Sequence, residues 1–272
     1  MPQFELHGGV RLEVVEGHSA EFVGDYDSGA VLWAASPPLA RWLASEGDFA
    51  GDTHSVTVAD GAGDEDTSTA VGASSMAAVE LGCGAGLVSL ALAACGRGIQ
   101  RVVATDGDAA VLERVTKPNF TANEAAVPAG IDLRAGSLEW GDIKAAHRLI
   151  EKELGGQHPR LIVGADVMYD REKHAALVQT IVALARPPVS SAADASAATR
   201  VAGDEPAWRC RLLLAWEVRH IDHDEIFFPL LGDVILEGPR LVWSGPTPNA
   251  FAEYGVEDEG EIRIVECILG SQ

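Results

Sequence analysis

Residues Ala77–Gly86, AAVELGCGAG, carry three glycines at alternate positions directly after an apolar run. Val79 and Leu81 read as the end of a buried strand, and Leu87–Cys95 reads as a helix. Gly82, Gly84 and Gly86 form the turn between them, where the lack of a Cβ lets backbone approach a ligand closely. A strand that turns at once into a helix commits the chain to an α/β fold. The pattern is not the dinucleotide fingerprint Gly-x-Gly-x-x-Gly, whose third glycine falls at position 87, here Leu87.

The segments that follow alternate in kind. Arg101–Thr105, Ile131–Ala135, Leu161–Ala165 and Arg211–Val218 read as strands. Ala109–Asn123, Ile143–Leu154 and Glu172–Ala185 have helical periodicity, with Pro118 an irregularity in the first, and Ile226–Leu231 reads as part of a helix. Arg240–Trp243 and Ile262–Cys267 are two late strands with no obvious helix between them. The expectation is a Rossmann-like α/β domain: a seven-stranded, mostly parallel sheet with an antiparallel C-terminal strand and helices on both faces. Upstream, Val10–Val23 alternates like a hairpin turning at Gly17-His18. Ala30–Ser45 holds a helix with Ser36 as N-cap and Pro37 in its first turn. The expected organisation is an N-terminal extension over the cofactor site (1–46), a flexible acidic insertion (47–75) and the main domain (76–272). A second insertion falls at 187–207, where large apolar residues are scarce.

Charge narrows the partners. Forty-one acidic residues stand against 20 basic ones, a formal charge of −21. Nucleic-acid binding needs Lys and Arg to neutralise phosphates, and no basic stripe is present. A macromolecular partner, if there is one, should be basic, although the charge also serves solubility alone. No apolar run approaches the ~20 residues of a membrane span, and the N-terminus lacks a signal-peptide pattern. No membrane association and a cytoplasmic or nuclear location are the expectations, with the chain a monomer. The four cysteines (Cys83, Cys95, Cys210, Cys267) lie far apart in apolar contexts and read as buried thiols. His147, His158, His174, His220 and His223 are not spaced as metal ligands and read as surface or capping residues, so no metal is expected.

In a parallel sheet ligands sit beyond the carboxyl ends of the strands. Gly82–Gly86, Asp106, Ser137–Trp140 and Asp166 all fall at those ends. A glycine turn without a pyrophosphate fingerprint suits S-adenosylmethionine (SAM), whose amino-acid end carries an ammonium and a carboxylate and whose ribose offers a diol. Asp106, 20 residues past Gly86, is placed to accept the ribose hydroxyls, while Asp108 suits a helix N-cap. Glu80 is costly inside an apolar strand unless paired, and a ligand ammonium or the turn amides would pair it. Trp140 can pack on an adenine or close the core, and Trp33 reads as core or as a ligand contact. Asp166 and Tyr169 stand three residues apart, beside the place where a bound methyl would point. Asp166 also suits a helix cap.

At these residues the chain resembles the seven-β-strand SAM-dependent methyltransferases, and more narrowly the small protein lysine methyltransferases of the methyltransferase-like 21 group. The resemblance rests on VELGCGAGLVSL, on ATDGDAAVLERV followed by Asn119 and Asn123, on Leu138-x-Trp140, on GADVMY with its Asp-x-x-Tyr element, and on the upstream segment Gly29–Leu43 with its G-x-V-x-W-x-A. It implies that Trp33, Glu80, Gly82, Gly84, Asp106 and Trp140 bind SAM, with the adjoining Cys83, Gly107, Leu138 and Ala165, and that Asp166 and Tyr169 face the acceptor. It also implies methyl transfer to a lysine of a protein substrate. A small-molecule or protein histidine N-methyltransferase and a non-catalytic SAM-binding protein remain open. Leu87 counts against a nicotinamide-dependent oxidoreductase.

Overall fold

The computed structural model describes residues 3–16, 30–46, 76–96, 98–187, 208–218, 223–247 and 260–270. In chain order the strands are β1 (Gln3–Glu5), β2 (Arg11–Glu13), β3 (Met76–Leu81), β4 (Ile99–Asp106), β5 (Asp132–Ser137), β6 (Leu161–Ala165), β7 (Arg209–Glu217), β8 (Ile235–Pro246) and β9 (Glu261–Gly270). The helices are α1 (Ser36–Glu46), α2 (Leu87–Cys95), α3 (Ala109–Val111), α4 (Lys117–Ala122), α5 (Ile143–Lys152), α6 (His174–Ala185) and α7 (His223–Leu231).

The main sheet has seven strands in the order β5-β4-β3-β6-β7-β9-β8. Its first five strands pair in parallel, and β9 runs antiparallel to both neighbours. The expected fold class is the one observed. All six residues of β3 are buried, as befits a central strand covered on both faces. Period-two alternation divides its side chains. Ala77, Val79 and Leu81 pack with Leu149, Ile150, Ile181 and Leu184 on one face. Met76 and Ala78 pack with Leu39, Leu43, Val88 and Leu92 on the other. The order reverses at β3, whose neighbours are β4 and β6, and a crevice opens at the carboxyl edge of such a switch point.

Two local expectations change. Arg11–Glu13 does belong to a hairpin, but it pairs backwards with Gln3–Glu5 across the turn His7–Gly9. Gly8 and Gly9, both at φ 79°, supply the left-handed backbone of that turn. The expected turn at Gly17-His18 lies outside the described residues, as do the insertion at 47–75 and nearly all of that at 187–207. Ser36 is the first helical residue of α1 rather than its cap, and the Ala35 carbonyl accepts the first bond, from Leu39 N at 3.2 Å.

Between α3 and α4 lies a five-residue π-turn, Leu112–Thr116. Pro118 has no N–H to give to the ladder, and the wide turn just before it lets the helix continue. The extra residue also rotates Thr116, Asn119 and Phe120 toward the glycine turn: Thr116 Oγ1 donates to Gly84 O at 2.6 Å. Among the described residues no helix is long and apolar enough to cross a membrane.

Candidate active site

A cavity of about 410 Å³ opens at the carboxyl edge of β3, β4, β5 and β6. Its lining includes Trp33, Gly82, Gly84, Asp106, Gly107, Leu138, Trp140, Ala165, Asp166 and Tyr169. Ten of the twelve residues singled out from the sequence thus meet on one hollow, drawn from the N-terminal segment and four strand ends.

The glycine turn is shaped by backbone that side chains would spoil. Gly82 and Gly84 hold φ 59° and 49°, and a Cβ on Gly82 would come 3.0 Å from Val167 and 3.3 Å from Trp140. Across from it, Asp106 ends β4 with its carboxylate aimed by two amides. Gly84 N donates to one oxygen at 3.1 Å and Asp108 N to the other at 3.0 Å. Burial pushes the Asp106 carboxyl above its ordinary value, and these amides pull it back. Asp108 caps α3 as expected, accepting from Ala110 N at 2.7 Å, and it also lines the cavity.

Asp166 is built differently. It follows β6 with φ 55°, the left-handed region, as the only non-glycine there among the described residues. Such a backbone costs about 1–3 kcal/mol and persists where surroundings hold it. The holding bonds come from far away: Asp166 N donates to Ala215 O at 2.8 Å, Glu217 N donates to its Oδ1 at 3.1 Å, and Ala35 N to its Oδ2 at 3.5 Å. The helix-cap reading falls elsewhere, because Asp170 is the residue whose side chain caps the turn at Arg171–Lys173. Tyr169 is 53% exposed at the mouth, its ring 6.3 Å from that of Trp140.

Two expected cofactor ligands lie behind the wall. Glu80 shares the alternation of Met76 and Ala78, so its side chain turns under α2 instead of out of the strand end. There Ser89 donates to it from both N, at 2.9 Å, and Oγ. Burial pushes its carboxyl up to about 8. Glu80 therefore braces the first turn of α2 from inside. Cys83 points into a small apolar cluster with Ala104 and Leu112, where burial pushes the thiol well up. One histidine also departs from expectation: His174 is buried, with Nε2 2.9 Å from Met168 O. Among the described residues no group of His, Cys, Asp or Glu is placed to hold a metal.

Glu139, inside the expected Ser137–Trp140 segment, lines the cavity, as do Val167 and Lys173, which the sequence did not single out. Gly107 makes room for Glu139, whose Oε2 would lie 2.6 Å from any Cβ there. The sequence signals were the Leu-x-Trp and Asp-x-x-Tyr segments themselves, which flank the first two. Lys173 stands four residues past Tyr169. Asp106, Asp108, Glu139 and Asp166 leave the hollow predominantly acidic, and Lys173 is the one basic lining residue among those described. An acidic, amide-studded hollow beside a helix N-terminus suits a ligand that carries a sulfonium, an ammonium and a ribose diol.

The family model described as lysine methyltransferase matches residues 19–193, well over half of the chain. The chain belongs to the lysine methyltransferase family. That membership makes SAM its cofactor, as the glycine turn led one to expect, and the cavity residues fit SAM. No curated protein sequence matches the chain. Solved structures similar to it include a protein from Streptococcus mutans assigned as a SAM-dependent methyltransferase, with a TM-score of 0.43, 11% identity, and 72% of this chain and 45% of that one covered. A SAM-dependent methyltransferase from Aquifex aeolicus has a TM-score of 0.40 and 12% identity, with 71% and 82% covered. The ribosomal protein L11 methylase from Lactobacillus delbrueckii has a TM-score of 0.40 and 10% identity, with 73% and 71% covered. The chain spans less than half the length of the Streptococcus mutans protein.

Proposed function

We propose that this chain transfers the methyl group of SAM to a lysine side chain of a protein substrate. One observation carries the reading: two aspartates at the ends of the two strands that flank β3, Asp106 and Asp166, face the same hollow. Membership of the lysine methyltransferase family supports lysine as the acceptor. SAM, when bound, supplies an electrophilic methyl on a sulfonium.

Asp106, aimed by the amides of Gly84 and Asp108, holds the ribose diol. Gly82 and Gly84 leave room for the ligand against the backbone, and Trp33, Leu138 and Trp140 exclude water around it. The acceptor poses the harder problem. A lysine at its ordinary pKa of ~10.4 is scarce as a free amine at pH 7, by ~3.4 units or about 4.6 kcal/mol. Desolvation and a neighbouring positive charge both lower that pKa. Asp166 does not serve as the base, because a carboxylate is far too weak for an ammonium. It orients the amine, with Tyr169 setting the direction. The displacement forms a nitrogen–carbon bond, breaks the sulfur–carbon bond and releases the amine proton to water.

The chain's acidity supports a basic protein as substrate. Incubation with methyl-labelled SAM and a cell lysate should label a protein band, and digestion should place the label on lysine. Label confined to small molecules, or to histidine, would replace the lysine reading by one of its rivals.

A further inference from the structure

The helix that carries the π-turn presents three buried polar side chains in a row: Thr116, Asn119 and Asn123. None lines the cavity, yet together they bridge two parts of the molecule that do. Asn119 uses every group of its amide. Its Nδ2 donates to Ala85 O in the glycine turn at 2.9 Å and to Val15 O at 2.9 Å, and its Oδ1 accepts from Val15 N at 2.9 Å. Asn123 repeats the pattern one helical turn on. Its Oδ1 accepts from Glu13 N at 2.8 Å, and its Nδ2 donates to Glu13 O at 2.7 Å. Two side-chain amides thus pair with the backbone of residues 13–15 as a neighbouring strand would.

The consequence reaches both ends. On one side, Thr116 and Asn119 occupy the carbonyls of Gly84 and Ala85. On the other side, the pinned segment leads to Glu16, whose carboxylate accepts from Leu32 N at 2.7 Å, next to Trp33 on the cavity. Buried amides of this kind are costly to leave unpaired, so turn and segment share one network.

We propose that Asn119 is a positioning residue that couples SAM binding at the glycine turn to docking of residues 13–15. This rests on the reading of the hollow as the SAM site. Ligand that orders the turn tightens the grip of Asn119 on Val15, and a docked segment in turn raises SAM affinity, since such coupling is reciprocal.

Hydrogen exchange on the full chain, with and without saturating S-adenosylhomocysteine, tests it. In the unaltered chain the ligand should slow exchange of the Val15 amide at least tenfold. In Asn119→Ala the ligand, still bound by calorimetry at a several-fold weaker Kd, should no longer slow it. Asn119→Asp keeps the acceptor for Val15 N–H and loses both donated bonds, so it gives the same readout if the alanine variant fails to fold. Binding without any slowing at Val15 in the unaltered chain, or equal slowing in the variants, would overturn the coupling. Absence of binding to the unaltered chain would instead overturn the SAM site itself.

Discussion

Asp106 and Asp166 are the same residue type at the carboxyl ends of two parallel strands, and they are held in opposite ways. Asp106 continues the extended backbone of β4 and is aimed by amides near it in the fold, those of the glycine turn and of its own following turn. Asp166 breaks from β6 into a left-handed conformation and is fixed by Glu217, 51 residues away, and Ala35, 131 residues away. The difference separates two tasks. A diol can be gripped by any well-aimed carboxylate. An acceptor nitrogen must meet a methyl carbon along one line, and a group that sets that line needs support from several elements at once.

The strongest way to break this comparison is at Asp166. Asp166→Ala should lower turnover at saturating SAM by about 100-fold or more, with SAM affinity changed by less than about threefold. Asp166→Asn tolerates the left-handed backbone, so a loss of similar size there would assign the effect to charge rather than to backbone strain. Steady-state kinetics alongside calorimetry reads both, and turnover retained in either variant would remove Asp166 from the chemistry. Next comes Asp106. Asp106→Ala should weaken SAM by roughly 10- to 100-fold, about 1.4–2.7 kcal/mol, with turnover at saturation largely kept. If both variants lost affinity and turnover alike, the division of labour between the two carboxylates would be wrong.

The smallest effect sharpens the contrast from the side, at Glu80. This carboxyl is pushed up to about 8 in the fold, against 4.5 ordinarily. Between those values the folded chain holds a proton that the unfolded chain has released. Stability should therefore fall as pH rises from about 4.5 to about 8, by an amount on the order of 1–5 kcal/mol. Glu80→Gln keeps an acceptor for Ser89 and removes the titration, so its stability should be flatter over that range. Denaturant unfolding at pH 5, 6.5 and 8 measures the slope. An unchanged slope in the variant would mean that another group produces it.

How these residues divide bears on what could be read before the fold was known. Asp106 was legible because its partners are nearby: a glycine turn, a strand and an acidic end follow one another in an order that local sterics dictate. Glu80 was legible as an anomaly, a carboxylate in an apolar run, but its direction was not. The apolar run admits a ligand ammonium or the turn amides as its partner, whereas strand alternation turns it beneath α2, onto Ser89. In the N-terminal hairpin that the structure describes, Arg11–Glu13 pairs back to Gln3–Glu5, and the expected turn at Gly17-His18 lies outside the described residues. Asn119 and Asn123 carry no sign of their partners in the sequence, because each reaches a backbone more than 100 residues away.

By itself the sequence determined the alternation of strands and helices, the glycine turn between β3 and α2, and the set of polar residues gathered at the strand ends. Those follow from period, steric freedom and apolar burial, which act over a few residues at a time. Only the tertiary structure decided that Asp166 is clamped by β7 and the N-terminal segment, that Glu80 braces a helix, and that two asparagines tie residues 13–15 to the glycine turn. The first and last are hydrogen bonds between groups distant in the chain, and the bond of Glu80 to Ser89, nine residues on, needs α2 packed over β3. Such a bond exists only once packing has brought its two surfaces together and excluded the water that would otherwise satisfy them.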